Sequence, residues 1–158
     1  MTEERKSVAV DFDGVLHQWD GEWRGHHVIP GEPIPGAIEW LHALLQTYDV
    51  FILTTRAETF RGRMAIWSWL KKHTPEQTWD DQPEKVSVAR ASGPTRGLHS
   101  IRATNRKRPA LVYVDDRGFR FTGNNFPSIN RVRGMRPWWK EPLHERGGEG
   151  LDRDGGVA

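Results

Sequence analysis

Ser7-Val8-Ala9-Val10-Asp11-Phe12-Asp13-Gly14 is the stretch on which the reading of this chain turns. Its start is a short apolar run of the kind a buried parallel strand shows, and Asp13-Gly14 breaks it. Two carboxylates therefore stand at a strand end, two residues apart, where extended chain turns both to the same side. Downstream, residues 14–34 hold His17, Trp19, Trp23, His26, His27, Pro30 and Pro33 without a sustained period, which predicts a long ordered loop or small hairpin. Pro35 suits a first helical turn, and Ile38, Leu41, Leu44 and Leu45 give a helix to about Thr47 one apolar face.

The second strand is Asp49-Val50-Phe51-Ile52-Leu53-Thr54. Thr55 and Glu58 match a capping box, so a helix is expected from there to about His73, with Phe60, Met64, Trp67 and Leu70 toward the core. Residues 74–83 read as loop. Val86–Val88 and Ser100–Thr104 compete for the next strand; the second is preferred, with 85–99 an excursion. Pro109-Ala110-Leu111-Val112-Tyr113-Val114-Asp115 is a buried strand ending in acids, and Phe119-Arg120-Phe121 a short edge strand. Alternating strands and helices make this an α/β domain with a mostly parallel sheet. One domain is expected over 1–140 and a disordered tail over 141–158.

Composition narrows the classes. The 158 residues contain no cysteine, which excludes disulfide scaffolds, thiolate zinc sites, iron–sulfur clusters and cysteine nucleophiles. A chain of this length can bury roughly 68–70% of its unfolded surface. No apolar run is long enough for a membrane, and the charged start Met1–Lys6 is unlike a signal peptide, so a soluble, cytoplasmic domain is expected. The net charge of +2 conceals a division. Residues 1–84 balance at −6, residues 85–140 at +11 and residues 141–158 at −3, and the only acids of the basic block are Asp115 and Asp116. Such a block favours anionic partners, phosphates or nucleic acid.

Three predicted strands end in polar residues: Asp11/Asp13, Thr54/Thr55 and Asp115/Asp116. Ligands of open α/β sheets sit at the carboxyl ends of the strands. If these strands are neighbours, four carboxylates share one crevice, and like charges there repel unless a cation intervenes. All-oxygen ligands with open water positions suit Mg²⁺. By contrast, His26-His27 lacks acids at ligand spacing, and no GxSxG, HExxH or GxGxxG is present.

Asp11-Phe12-Asp13-Gly14-Val15 resembles the first motif of the haloacid dehalogenase (HAD) superfamily of phosphatases. Thr54 after Phe51-Ile52-Leu53 resembles the second motif, Lys107 the third, and Val114-Asp115-Asp116-Arg117 the fourth. The four appear in order over about residues 7–127. Lys85 competes for the third motif, with spacing to Asp115 favouring Lys107. The resemblance implies a three-layer Rossmann-like fold with the fourth-, first- and second-motif strands side by side. It further implies Asp11 as nucleophile, Asp13 as proton donor and acceptor, and Thr54 and Lys107 as phosphoryl ligands. Thr55, Arg56 and Arg117 would contact substrate. Mg²⁺ would be held by Asp11, the Asp13 carbonyl, Asp116 and, as ligand or neighbour, Asp115. The short segments between motifs imply no large cap domain and hence an open site.

Val-Asp-Asp-Arg in particular resembles the phosphatase domain of polynucleotide kinase-phosphatases, which remove 3′-phosphates, although no kinase-type phosphate loop (GxxxxGK[ST]) is present. A nucleotide or DNA/RNA end is therefore the expected substrate. Arg102, Arg106, Arg108, Arg117 and Arg120, with Arg90 and Arg96, would follow its backbone, and Trp19 and Trp23 would stack on a base. A nucleic-acid-binding module with little turnover is the alternative.

Overall fold

The computed structural model describes residues 5–79, 97–120 and 122–140. The chain divides into two compact units with the boundary between Gly118 and Phe119, inside the region that sequence reads as one domain. The expected tail 141–158, Lys85 and the candidate strand Val86–Val88 lie outside the described residues.

The first unit is α/β. Its strands are β1 (Ser7–Val10), β2 (Asp49–Leu53), β3 (Arg102–Thr104) and β4 (Val112–Val114). They form one sheet in the order β3-β2-β1-β4, and every pair is parallel. Val10 lies opposite both Ile52 and Val114, so β1, β2 and β4 end at the same edge. The adjacency of the three polar strand ends, assumed from sequence, is thus present.

Period-two alternation sorts the strand residues. Val8, Val10, Val50 and Ile52 share a buried cluster with Ile38, Leu41 and Leu45 of α1 (Ala37–Thr47) and Ile66, Trp69 and Leu70 of α2 (Phe60–His73). Each fully buried aliphatic of this kind contributes roughly 1.5–3 kcal/mol. Ala9 and Phe51 are also buried but lie outside that cluster, one residue out of phase. The short helix α3 (Glu76–Trp79) adds Trp79 to the cluster, within a segment read as loop.

Several expectations are corrected. The helix expected from Pro35 starts at Ala37, with Pro35 and Gly36 forming the turn into it. The helix expected at Thr55 is a 3-10 turn, Thr55–Glu58, capped by Thr54, and α2 begins only at Phe60 behind a second cap, Thr59. Glu58 does not close a capping box; its carboxylate lies 3.2 Å from His26 Nε2. The core face of α2 is Gly62, Ile66, Trp69 and Leu70, whereas Phe60 and Met64 are 68% and 44% exposed. Gly62 explains the choice: a Cβ there would lie 1.8 Å from the Arg56 carbonyl oxygen, so this face presses on backbone and admits no side chain.

The expected three layers reduce to two among the described residues of this unit, since α1, α2 and α3 share one cluster. The link between β3 and β4, residues 105–111, explains this. It must pass β2 and β1 at about 4.8 Å per strand, which leaves seven residues no slack for a helix.

The second unit contains α4 (Ile129–Gly134), capped by Ser128 Oγ, and a 3-10 turn, Trp138–Lys140. Phe119 and Arg120 are not in a strand, and Phe121 lies outside the described residues. No helix among the described residues is long and apolar enough to cross a membrane.

Candidate active site

Asp11 follows β1 and Asp115 follows β4, and the parallel register sets them side by side, the Asp11 N–H donating to the Val114 carbonyl at 2.9 Å. Asp116 joins them. One carboxylate oxygen from each of Asp11, Asp115 and Asp116 lies within 4.8 Å of the others. Burial pushes the Asp11 carboxyl up from 3.8 to about 7. The Phe12 N–H, 2.7 Å from Oδ1, pulls it down, and the charges of Asp115, Asp116 and Asp13 push it up. Three crowded carboxylate oxygens are a donor set for a hard cation, so these residues could hold a metal ion. The Arg117 N–H donates to Asp115 Oδ1 at 2.7 Å, and the Arg117 guanidinium stands 3.7 Å from Asp116.

Asp13 is turned elsewhere. Its two oxygens accept from Arg56 Nε at 3.0 and 2.8 Å, and Oδ1 also pairs with His17 Nδ1 at 2.9 Å. The Gly31 N–H donates to His17 Nε2 at 2.9 Å. With Nε2 accepting, Nδ1 carries the ring proton and donates to Asp13. His17 is fully buried, stacked on Phe12 and edge-on to Trp69. The Asp13 carboxylate thus faces Arg56 and His17, and the cation cluster is made by the other three acids.

Arg56, expected at the substrate, has a different place. Its side chain is wholly buried. Beyond Asp13, its Nη1 donates to the carbonyls of Gly25, His26 and Val28 at 2.8–3.3 Å. The rings of Trp19 and Trp23 lie 5.4 and 4.9 Å from its guanidinium carbon. These contacts hold the 14–34 loop against the strand end and use the charge internally. Trp19 and Trp23 accordingly pack on a cation of the chain itself, although Trp23 remains 49% exposed.

The other expected residues are spread. Thr54 is buried at the end of β2, its Oγ1 accepting from the Arg56 N–H. Thr55 and Arg117 are exposed. Lys107 is exposed too, its ammonium 4.9 Å from the Tyr113 ring centroid.

Sequence reasoning missed His17 and Gly31. No local signal joins Gly31 to His17, fourteen residues away across an irregular loop. The glycine is nevertheless required, because a Cβ would lie 2.3 Å from the Gln18 carbonyl oxygen and 2.7 Å from His17 Nε2. Its carbonyl also accepts from Trp69 Nε1 at 2.9 Å, which ties the loop to α2. Gly31→Ala is expected to cost roughly 1–3 kcal/mol of stability, read as a lower urea midpoint at unchanged slope. A loss under about 0.5 kcal/mol, the scale of ordinary surface substitutions, would contradict this packing.

Compared with protein-family models, with curated proteins and with solved structures, the chain finds no match in any of the three.

Proposed function

We propose that this chain is a Mg²⁺-dependent phosphomonoester hydrolase of the HAD type, built on an HAD fold without a large cap. The observation that carries the reading is the meeting of Asp11, Asp115 and Asp116 at the ends of two neighbouring parallel strands. A bound divalent cation would supply charge neutralisation for this cluster and for the phosphoryl oxygens. In the first step an Asp11 carboxylate oxygen bonds to phosphorus as the bond to the ester oxygen breaks. That oxygen takes a proton from Asp13, which must first take one up from solvent because its carboxylate is ion-paired with Arg56. In the second, water attacks phosphorus, the bond to Asp11 breaks, and Asp13 takes a proton from the water, which restores both acids. Arg56 and His17 orient Asp13 for both transfers. Thr54 and Lys107 are the groups assigned to the phosphoryl oxygens, and Thr55 and Arg117 lie exposed to contact the remainder of the substrate. The +11 balance of residues 85–140 favours a nucleotide or nucleic-acid end over the phosphate ester of an otherwise uncharged metabolite.

Phosphate release with and without Mg²⁺ tests this, on aryl phosphate, nucleoside monophosphates and 3′- or 5′-phosphorylated oligonucleotides. Turnover is expected only with the metal, with oligonucleotides above aryl phosphate, and Asp11→Asn is expected to lower it about 10³-fold or more. Full turnover by Asp11→Asn would overturn the mechanism. Binding of unphosphorylated strands without any hydrolysis would instead favour a scaffold that binds nucleic acid and does not cleave.

A further inference from the structure

The second unit has a composition and surface unlike the first. Residues 119–140 contain Arg120, Arg131, Arg133, Arg136 and Lys140 and no Asp or Glu. None of its described residues is buried. What organises it is local: Ser128 caps α4, the Thr122 N–H donates to Asn125 Oδ1, and Asn125 Nδ2 donates to the Arg120 carbonyl. Large apolar side chains are left at the surface, with Phe126 80%, Ile129 68%, Val132 50%, Met135 41% and Trp138 39% exposed. Cations already lie over rings: the Arg131 guanidinium is 5.0 Å from the Phe119 centroid, and the Lys140 ammonium 5.3 Å from that of Trp139.

Five large apolar side chains left exposed between residues 126 and 138 point to an interaction site. Five cations without one acid make the partner anionic, and interleaved aromatics suit planar, apolar groups. We infer that the described residues of 119–140 form a binding surface for single-stranded nucleic acid, whose phosphates meet the arginines while unpaired bases stack on Trp138 and Phe126. A duplex keeps its bases stacked internally and offers no such faces. An anionic membrane would call for a longer amphipathic helix than α4, which has six residues. The inference goes beyond the phosphatase reading and does not depend on it.

The test is fluorescence anisotropy with unphosphorylated, labelled 20-nucleotide DNA and RNA strands, titrated with the full chain over a range of salt. Binding is expected to weaken linearly in log–log form with salt. Replacing three cations together (Arg131→Gln, Arg133→Gln, Arg136→Gln) should reduce that slope by about 2, at about 0.7 per phosphate contact. Trp138→Ala should weaken binding about tenfold and leave the slope unchanged. Duplex of the same length should bind less tightly. The inference is overturned if no strand binds, if the variants bind like the parent, if duplex binds as tightly, or if phosphatidylserine–phosphatidylcholine vesicles are preferred. Aryl-phosphate hydrolysis by the same preparations fails or succeeds separately, so the two readings are judged apart.

Discussion

Arg56→Met is expected to destabilise the protein by about 3–5 kcal/mol, the usual result of removing one partner from a buried ion pair. The side chain is wholly enclosed and its guanidinium serves Asp13 and three loop carbonyls. Methionine fills a similar volume but leaves the Asp13 carboxylate without its cation and those carbonyls without their donor. Against a typical total of 5–15 kcal/mol, the variant would be marginal. Arg56→Lys should recover only part of the loss, because one ammonium cannot reproduce a planar fork reaching both the carboxylate and the loop. The pairing itself is isolated by a double-mutant cycle. Asp13→Asn removes the stranded charge, so Asp13→Asn with Arg56→Met should be more stable than Arg56→Met alone. Urea unfolding measures all four proteins. A loss below about 1 kcal/mol for Arg56→Met, or full additivity, would mean that the pair does not hold the loop in place.

The second large effect concerns pH. Asp11 titrates near 7 in the folded, metal-free chain and at about 3.8 when unfolded. Because the folded state holds that proton more tightly, the Asp11 contribution to metal-free stability is greatest below about pH 4. It declines as pH rises from 4 to 7, and the full cost of the buried anion is present above 7. At 1.36 kcal/mol per pH unit the ceiling is on the order of 4 kcal/mol, reduced by the partial exposure of the group. In EDTA, the melting temperature should therefore be lower at pH 8 than at pH 5.5. Asp11→Asn should remove most of that difference and raise stability at pH 8, and saturating Mg²⁺ should do the same for the parent protein. An Asp11→Asn variant less stable than the parent at pH 8 in EDTA would show that the carboxylate is already compensated from within the chain.

The elements that could be read from sequence are those whose signal is local. β1 and β2 are continuous apolar runs, and α1 has a single apolar stripe, so each lies within a few residues of its expected place. The acids at the ends of β1 and β4 were identified in the same way, as breaks in apolar runs. The core face of α2 is not legible from periodicity because the helix carries two stripes, and the more aromatic one, Phe60, Met64 and Trp67, faces outward. What turned it is Gly62 against the Arg56 backbone, a contact with no trace in hydrophobic periodicity. The burial of Arg56 was illegible for a similar reason. Asp13 lies 43 residues from it, and the carbonyls that complete its shell come from an irregular loop. The boundary at Gly118 was hidden by a charge block that runs across it.

The acidic cluster joins strands of unequal security. Asp11 follows β1, which is paired on both sides, whereas Asp115 and Asp116 follow β4, three residues long and, among the described residues, bonded to β1 alone, with Val112 and Tyr113 exposed. Local fraying of β4 would take two of the three carboxylates away while the core of β1, β2, α1 and α2 stays folded. A cation bridging the cluster would pin the outer strand to the centre of the sheet, so cation affinity and the order of that strand form one linked equilibrium. Whatever ties down the outer strand tightens the grip on the ion, and whatever loosens it lets the ion go.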